Sequence, residues 1–188
     1  MNNLTRRTLH KFQEVISVTS INRSLRTTSC FKMPIKEGES LPNIDLFEET
    51  PANKVNLNEL SAGKKIIVFA VPGAFTPGCS KTHLPGYVKK AEELKLQGIS
   101  EIACVAVNDP FVMSAWGKEH NVNGKIRMLA DTGATFTKSI DLGQDLAPLG
   151  GYRSKRYSMV VENGKVQSLQ VEPDGTGLSC SLVEAIKL

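Results

Sequence analysis

Three absences narrow what this 188-residue chain can be. No apolar run reaches the ~18 residues that a membrane-spanning helix requires, so no membrane partner is expected. No two cysteines form a C-x-x-C pair: they stand at Cys30, Cys79, Cys104 and Cys180, which excludes a paired-cysteine zinc site and a thioredoxin-style dithiol. Four cysteines are also too few for a disulfide scaffold in a chain of this length, and a reducing compartment is the expectation. Finally, no linker, repeat or low-complexity stretch interrupts the chain after Met33.

A basic surface is missing too, despite a formal charge of +4. Residues 1–32 carry six basic residues (Arg6, Arg7, Lys11, Arg23, Arg26 and Lys32) against one acid, Glu14, which leaves 17 basic and 18 acidic residues in 33–188. The body is thus nearly neutral and lacks the basic stripe that neutralising phosphates demands, so no nucleic-acid partner is expected. In the basic segment, Leu9, Phe12, Val15 and Ile16 fall on one side of a helical wheel, and Arg6, Arg7, His10, Lys11 and Glu14 on the other. Amphipathic, Arg- and Ser-rich, poor in acids and without a secretory h-region, residues 1–32 read as a mitochondrial transit peptide. Residues 33–188 then form one domain of roughly 150 residues, large enough for its own core. Cys30 falls in the removed segment, and a second start at Met33 would give a cytoplasmic form.

Within the body, Ile66–Val71 and Ile102–Val107 are unbroken apolar runs of strand length, the pattern of central strands buried on both faces. A helical stretch between them ends near Gly98, a C-cap candidate. Asn108-Asp-Pro110 opens a second helix through about His120, and Ile126–Ala130 predicts another strand. Tyr157–Val161 and Val166–Val171 flank Asn163-Gly164, whose residues accept the positive φ angles of a type I′ hairpin turn. The order predicts an α/β domain of thioredoxin-like architecture, with a mixed central sheet flanked by helices and a terminal helix.

The chemistry concentrates at Thr76-Pro-Gly-Cys79, where a buried strand ends and a helix begins. Thr76 stands in the N-cap place and Pro77 at the first helical position, where its missing N–H costs nothing. Cys79 falls in the first turn, where free N–H groups and the positive end of the helix dipole favour the thiolate, the nucleophilic form. Cys104, inside an apolar strand, reads instead as a core thiol. His83, four residues after Cys79, raises a Cys-His hydrolase reading, but no orienting group or oxyanion hole accompanies it, so a helix-surface or supporting role is expected. Trp116, Phe111 and Phe136 read as packing residues, and Lys89-Lys90 with Glu92 and Glu93 as a solvated helix face.

Pro72-x-x-x-Thr76-x-x-Cys79 resembles the active-site pattern of the peroxiredoxins, and Val71–Gly86 is similar to the peroxiredoxin-5 branch in particular. Val107-Asn-Asp109, Lys155–Val161 and Val171–Cys180 extend the similarity across essentially everything from Met33 onward. The resemblance implies a thiol-dependent peroxidase for hydrogen peroxide, alkyl hydroperoxides and peroxynitrite, serving antioxidant defence. It makes Cys79 the peroxidatic cysteine that becomes a sulfenic acid, and Thr76 the hydroxyl contacting thiolate and peroxide. Arg156 matches the guanidinium that stabilises the thiolate and polarises the O–O bond, Pro72 shields the pocket, and Gly78 leaves room for backbone N–H groups to approach the peroxide. Arg153 is close enough in sequence to compete with Arg156, which is favoured by its place just ahead of a strand.

Cys180 matches the resolving cysteine of the atypical two-cysteine mechanism, in which one chain forms an internal disulfide that thioredoxin reduces. Pro85 and Gly86 weaken the helix that would have to unwind for that bond. No metal, haem or flavin is implied, because sulfur carries the redox change, and the expected state is a monomer or weak homodimer. Members of the branch can end in a peroxisomal Ser-Lys-Leu tripeptide, but Ile186-Lys-Leu188 matches it poorly, which argues against peroxisomal import. The alternative within the same chemistry is a redox sensor that uses the Cys79–Cys180 bond as a switch.

Overall fold

The unbroken apolar runs become the middle of a sheet because both their faces find apolar partners. The structure, a computed structural model, describes residues 33–188; the amphipathic segment and Cys30 lie outside the described residues. The chain runs β1 (Asp45–Glu48), β2 (Thr50–Asn56), α1 (Leu57–Leu60), β3 (Lys65–Val71), α2 (Leu84–Leu96), β4 (Glu101–Ala106), α3 (Pro110–Glu119), β5 (Arg127–Ala130), α4 (Thr135–Ser139), β6 (Gly143–Leu146), β7 (Gly151–Ser154), β8 (Tyr157–Glu162) and β9 (Lys165–Val171). The main sheet has the order β2-β1-β5-β4-β3-β8-β9, and β6 pairs with β7 separately. Strands β3, β4 and β5 are parallel, whereas β8 joins β3 antiparallel, so the sheet is mixed.

Alternation along β3 divides the core in two. Ile67, Phe69 and Val71 face one layer with Tyr87 of α2 and Met113 and Trp116 of α3. Ile66, Val68 and Ala70 face the other, with Leu57 of α1 and Phe136 of α4. All six β3 residues from Ile66 to Val71 are fully buried, so each side chain on either face removes apolar area from water.

The helix boundaries follow from local chemistry. Asp109 caps α3 by accepting from the Val112 N–H at 2.9 Å, with Pro110 in the first turn. Gly98, at φ +93°, ends α2 in a Schellman arrangement: its N–H reaches Lys95 O and the Ile99 N–H reaches Leu94 O, both at 3.1 Å. Asn163 and Gly164 turn the β8–β9 hairpin with φ of 51° and 74°, as the sequence predicts.

Two expectations fail. The terminal helix is a single 3₁₀ turn, Val183–Ala185. Val183 is buried and Ile186 packs on the α2–α3 layer, so this short tail is spent on docking and has no length left to propagate a helix. Phe111 is 62% exposed, because α3 presents Met113, Trp116 and Gly117 to the core and turns Phe111 outward.

Candidate active site

The chain leaves the carboxyl end of β3 at Val71 and turns through a loop before it re-enters a helix at Pro77. Asn108 Oδ1, beyond the end of β4, accepts from the Ala74 N–H at 3.0 Å and pins this loop. Phe75 sits at φ +62°, a left-handed conformation that a bulky residue rarely adopts. That turn brings Thr76 over the helix start, and the first helical bond runs from the Ser80 N–H to Thr76 O at 2.9 Å. Thr76 is thus at the N-cap place, but its hydroxyl serves sulfur: Oγ1 lies 2.8 Å from Cys79 Sγ and 3.0 Å from Gly73 O. One hydroxyl proton serves one acceptor at a time. Gly73 O and the Cys79 sulfur therefore compete for it.

Cys79 opens a π-helical turn, Cys79–His83, that runs directly into α2. The Leu84 N–H bonds Cys79 O, five residues back, and Pro85 follows with no N–H to offer. Widening by one residue accommodates the proline without ending the helix, a device common at functional sites. Among the described residues, the N–H groups of Gly78 and Cys79 bond no backbone carbonyl outside the helix. In a first turn such groups project beyond the helix end, available to a bound oxygen.

Arg156 arrives from the opposite side, just ahead of β8. It is 3% exposed, with Nη1 3.4 Å from Cys79 Sγ and Nε donating to Thr176 O at 3.1 Å. No carboxylate lies within ion-pair distance of it among the described residues. A buried cation without a counter-charge is costly, and the group beside it able to supply one is the Cys79 sulfur. Arg153 points elsewhere: its Nη1 donates to Val107 O at 2.7 Å and its Nη2 to Leu149 O. It ties loops together and makes no bond to Cys79.

His83 is not on the helix surface. It is 1% exposed, with Nε2 3.0 Å from Ser181 O and Nδ1 3.2 Å from Arg156 Nη1. A carbonyl only accepts and a guanidinium only donates, so His83 is the neutral tautomer with its proton on Nε2. Burial is the main cause holding its pKa down at about 4, helped by the Arg156 charge. Neither ring nitrogen bonds Cys79, so the Cys-His hydrolase arrangement is absent.

Gly78 is needed for close approach. A Cβ there would lie 3.3 Å from both Arg156 Nη2 and Leu178 Cδ1, so the guanidinium and the Leu178 side chain occupy the space a larger residue would take. Pro72 is buried at the end of β3. Cys79 itself is fully buried, while Phe75, in the loop ahead of it, is 48% exposed. Cys104 is fully buried, and burial pushes its thiol up, as suits an inert core group. A surface groove of about 500 Å³ beside Glu48, Lys118 and Arg127 contains none of these residues.

Cys180 is unpaired and partly exposed, and its Sγ donates to Val171 O at 3.4 Å. Its neighbours Ser179 and Ser181 are bound by the carboxylate of Glu172. The sequence reading missed Glu172, the His83–Arg156 contact and the bond from Trp116 Nε1 to Ser80 Oγ at 3.0 Å. The His83–Arg156 and Trp116–Ser80 contacts join residues distant in sequence, and Glu172 reaches its serines seven and nine residues on, all by ordinary polar side chains that no spacing signals.

Comparison with known proteins adds the family. A family model described as Redoxin matches residues 36–186. Peroxiredoxin-2D of Arabidopsis thaliana is 43% identical over 158 residues, covering 82% of this chain and 98% of that protein. Reduced Prx3 of Vibrio vulnificus, solved in complex with hydrogen peroxide, is 47% identical with a TM-score of 0.75, over 80% of this chain and 96% of that one. Peroxiredoxin 5 of Alvinella pompejana is 42% identical with a TM-score of 0.71, over 78% and 96% of the two chains. These likenesses match the mixed sheet and its flanking helices, the thioredoxin-like fold expected from the sequence. A family model spanning nearly all the described residues, and relatives this similar along their own length, mean that the chain belongs to the Redoxin family and, within it, to the peroxiredoxins, the thiol-dependent peroxidases among the oxidoreductases.

Proposed function

We propose that Cys79 is the peroxidatic residue of a peroxidase acting on hydrogen peroxide, alkyl hydroperoxides and peroxynitrite. The observation that carries this is the buried Arg156, whose guanidinium stands 3.4 Å from Cys79 Sγ with no carboxylate partner among the described residues. The thiolate attacks the terminal peroxide oxygen; the S–O bond forms, the O–O bond breaks, and the leaving group departs as water or an alcohol after taking a proton, or as nitrite from peroxynitrite. Arg156 and the Thr76 hydroxyl stabilise charge as it moves from sulfur to the leaving oxygen. Gly78 leaves space for that guanidinium, and Pro72 walls the site against water.

Cys79 sulfenic acid is then resolved by Cys180 within the same chain, and thioredoxin reduces the disulfide. No cofactor takes part, and the unit is a monomer or weak homodimer. Residues 1–32 direct the chain to mitochondria, with a cytoplasmic form arising from Met33; N-terminal peptides from fractionated cells test both statements.

The deciding experiment treats the reduced protein with one equivalent of hydrogen peroxide and maps its cysteine linkages under non-reducing conditions. A Cys79–Cys180 bridge within single chains, reversed by thioredoxin, is expected. Oxidised Cys79 beside a free Cys180 would keep the peroxidase and transfer resolution to an outside thiol, as in a sensor. An unmodified Cys79 would end the reading.

A further inference from the structure

Glu172 follows the last residue of β9 and is 1% exposed, yet it is a carboxylate with no ion pair among the described residues. Oε1 accepts from the Ser179 N–H at 2.8 Å, the Ser181 N–H at 2.9 Å and the Ser181 hydroxyl at 2.7 Å, and Oε2 accepts from the Ser179 hydroxyl at 2.6 Å. Burial opposes its charge, but these four bonds outweigh that and hold the acid down at about 2. Its own N–H donates to Arg156 O at 3.0 Å, so the grip is anchored to the backbone of the arginine itself. On the far side of the segment, Ser181 O accepts from His83 Nε2 at 3.0 Å and from the Tyr87 hydroxyl at 2.9 Å. Cys180 lies between the two serines, its thiol turned to Val171 O.

We propose that Glu172 is a positioning residue that sets the rate of resolution: its carboxylate clasps Ser179 and Ser181 and keeps Cys180 docked on the end of β9 until the clasp opens. The inference rests on Cys180 being the resolving cysteine. A disulfide needs the two Cβ atoms about 3.5–4.5 Å apart, whereas here both thiols are free and face different partners, Cys79 Sγ facing Thr76 Oγ1 and Arg156 Nη1 and Cys180 Sγ facing Val171 O. Cys180 must therefore leave its place, and charge-assisted bonds to both neighbours resist that. Burial, and then the Glu172 charge, also push the Cys180 thiol up, so the docked thiol keeps its proton. Once released, Cys180 loses that proton and its sulfur attacks the sulfenic sulfur of Cys79. The S–S bond forms, the S–O bond breaks, and the departing hydroxide combines with the proton to give one water.

The test follows the full-length protein by stopped flow after one equivalent of hydrogen peroxide. Trp116 is the chain's single tryptophan and bonds Ser80 beside Cys79, so its fluorescence reports the Cys79 turn. Quenched samples report the disulfide and the free thiols. In Glu172→Gln, disulfide formation should accelerate about tenfold, the factor for losing one charge-assisted bond from the closed state, and in the Ser179→Ala, Ser181→Ala double variant, which loses two such bonds, by more than that. Oxidation of Cys79 should keep its wild-type rate constant, and more peroxide should be needed to drive Cys79 to sulfinic acid. Glu172→Ala should accelerate resolution further than Glu172→Gln, which can keep the three bonds at one oxygen. Unchanged or slower disulfide formation in folded variants, with a normal disulfide in wild type, overturns the clasp alone. Sulfenic acid on Cys79 beside a free Cys180 in wild type overturns the assignment of Cys180 and the clasp with it.

Discussion

The Nη1 atom of Arg156 stands 3.4 Å from Cys79 Sγ and 3.2 Å from His83 Nδ1, so one guanidinium nitrogen faces the Cys79 sulfur and a neutral imidazole together. The imidazole accepts without adding charge, which leaves the cation's field to act on sulfur. Its other nitrogen holds Ser181, one residue beyond Cys180. A continuous polar chain thus runs from Cys79 to the residue beside Cys180.

Arg156→Ala should lower the rate of Cys79 oxidation by about 10²–10³-fold, the usual loss on removing one donor to developing charge. Arg153→Ala should leave that rate near wild type and reduce thermal stability, because its bonds go to Val107 O and Leu149 O. Peroxide-dependent stopped-flow rates for both variants check the assignment; the opposite pattern would put Arg153 in the site.

Thr76→Val keeps the shape and removes the hydroxyl that lies 2.8 Å from sulfur. A loss of about 10²–10³-fold in the same rate constant is expected, while Thr76→Ser should stay close to wild type. Equal loss in both variants would mean that the methyl group matters and the hydroxyl does not.

His83 makes folding stability depend on pH. Its folded pKa, about 4, lies below the ordinary 6.5, so the unfolded chain binds the proton more readily. The contribution is complete above about pH 6.5 and is lost as pH falls toward 4, amounting to about 3 kcal/mol. Urea unfolding of wild type between pH 7 and 4.5 should show this slope, and His83→Gln should flatten it. Glu172, lowered from 4.5 to about 2, is a depressed acid whose contribution is complete above pH 4.5 and lost below it, so the two effects separate.

Gly78→Ala places a Cβ 3.3 Å from Arg156 Nη2 and Leu178 Cδ1, and one of them must give. Leu178 is half-buried and Arg156 is held by Thr176 O, so the leucine should yield and peroxidase activity should fall only several-fold, by less than about 2 kcal/mol. Adding Leu178→Ala should restore part of it. No recovery in steady-state assays would mean that the guanidinium itself had moved.

Features that were readable in the sequence are local ones. The apolar runs of β3 and β4 announce strands covered on both faces; Asn163-Gly164 announces its turn, and Asp109-Pro110 its helix cap. Thr76 and Cys79 were readable for the same reason, since three residues at a helix start determine each other's surroundings. Phe111 departs from the packing role its aromatic character suggests because the α3 stripe of Met113, Trp116 and Gly117 faces the core and leaves it outside. The missing terminal helix is a matter of length: Val183 and Ile186 dock individually, and docking replaces helical hydrogen bonds.

The sequence by itself determined the sheet-building segments, the helix start and a cysteine in its first turn, because backbone propensity and periodicity act over a few residues. Only the tertiary structure decided which arginine reaches sulfur, that His83 is buried and neutral, and that Glu172 grips the serines around Cys180. Those contacts span 77, 73, 7 and 9 residues of chain. Burial there raises the cost of every unpaired charge, so the partner of each polar group is set by the packing of β8, β9 and α2 rather than by its neighbours in sequence.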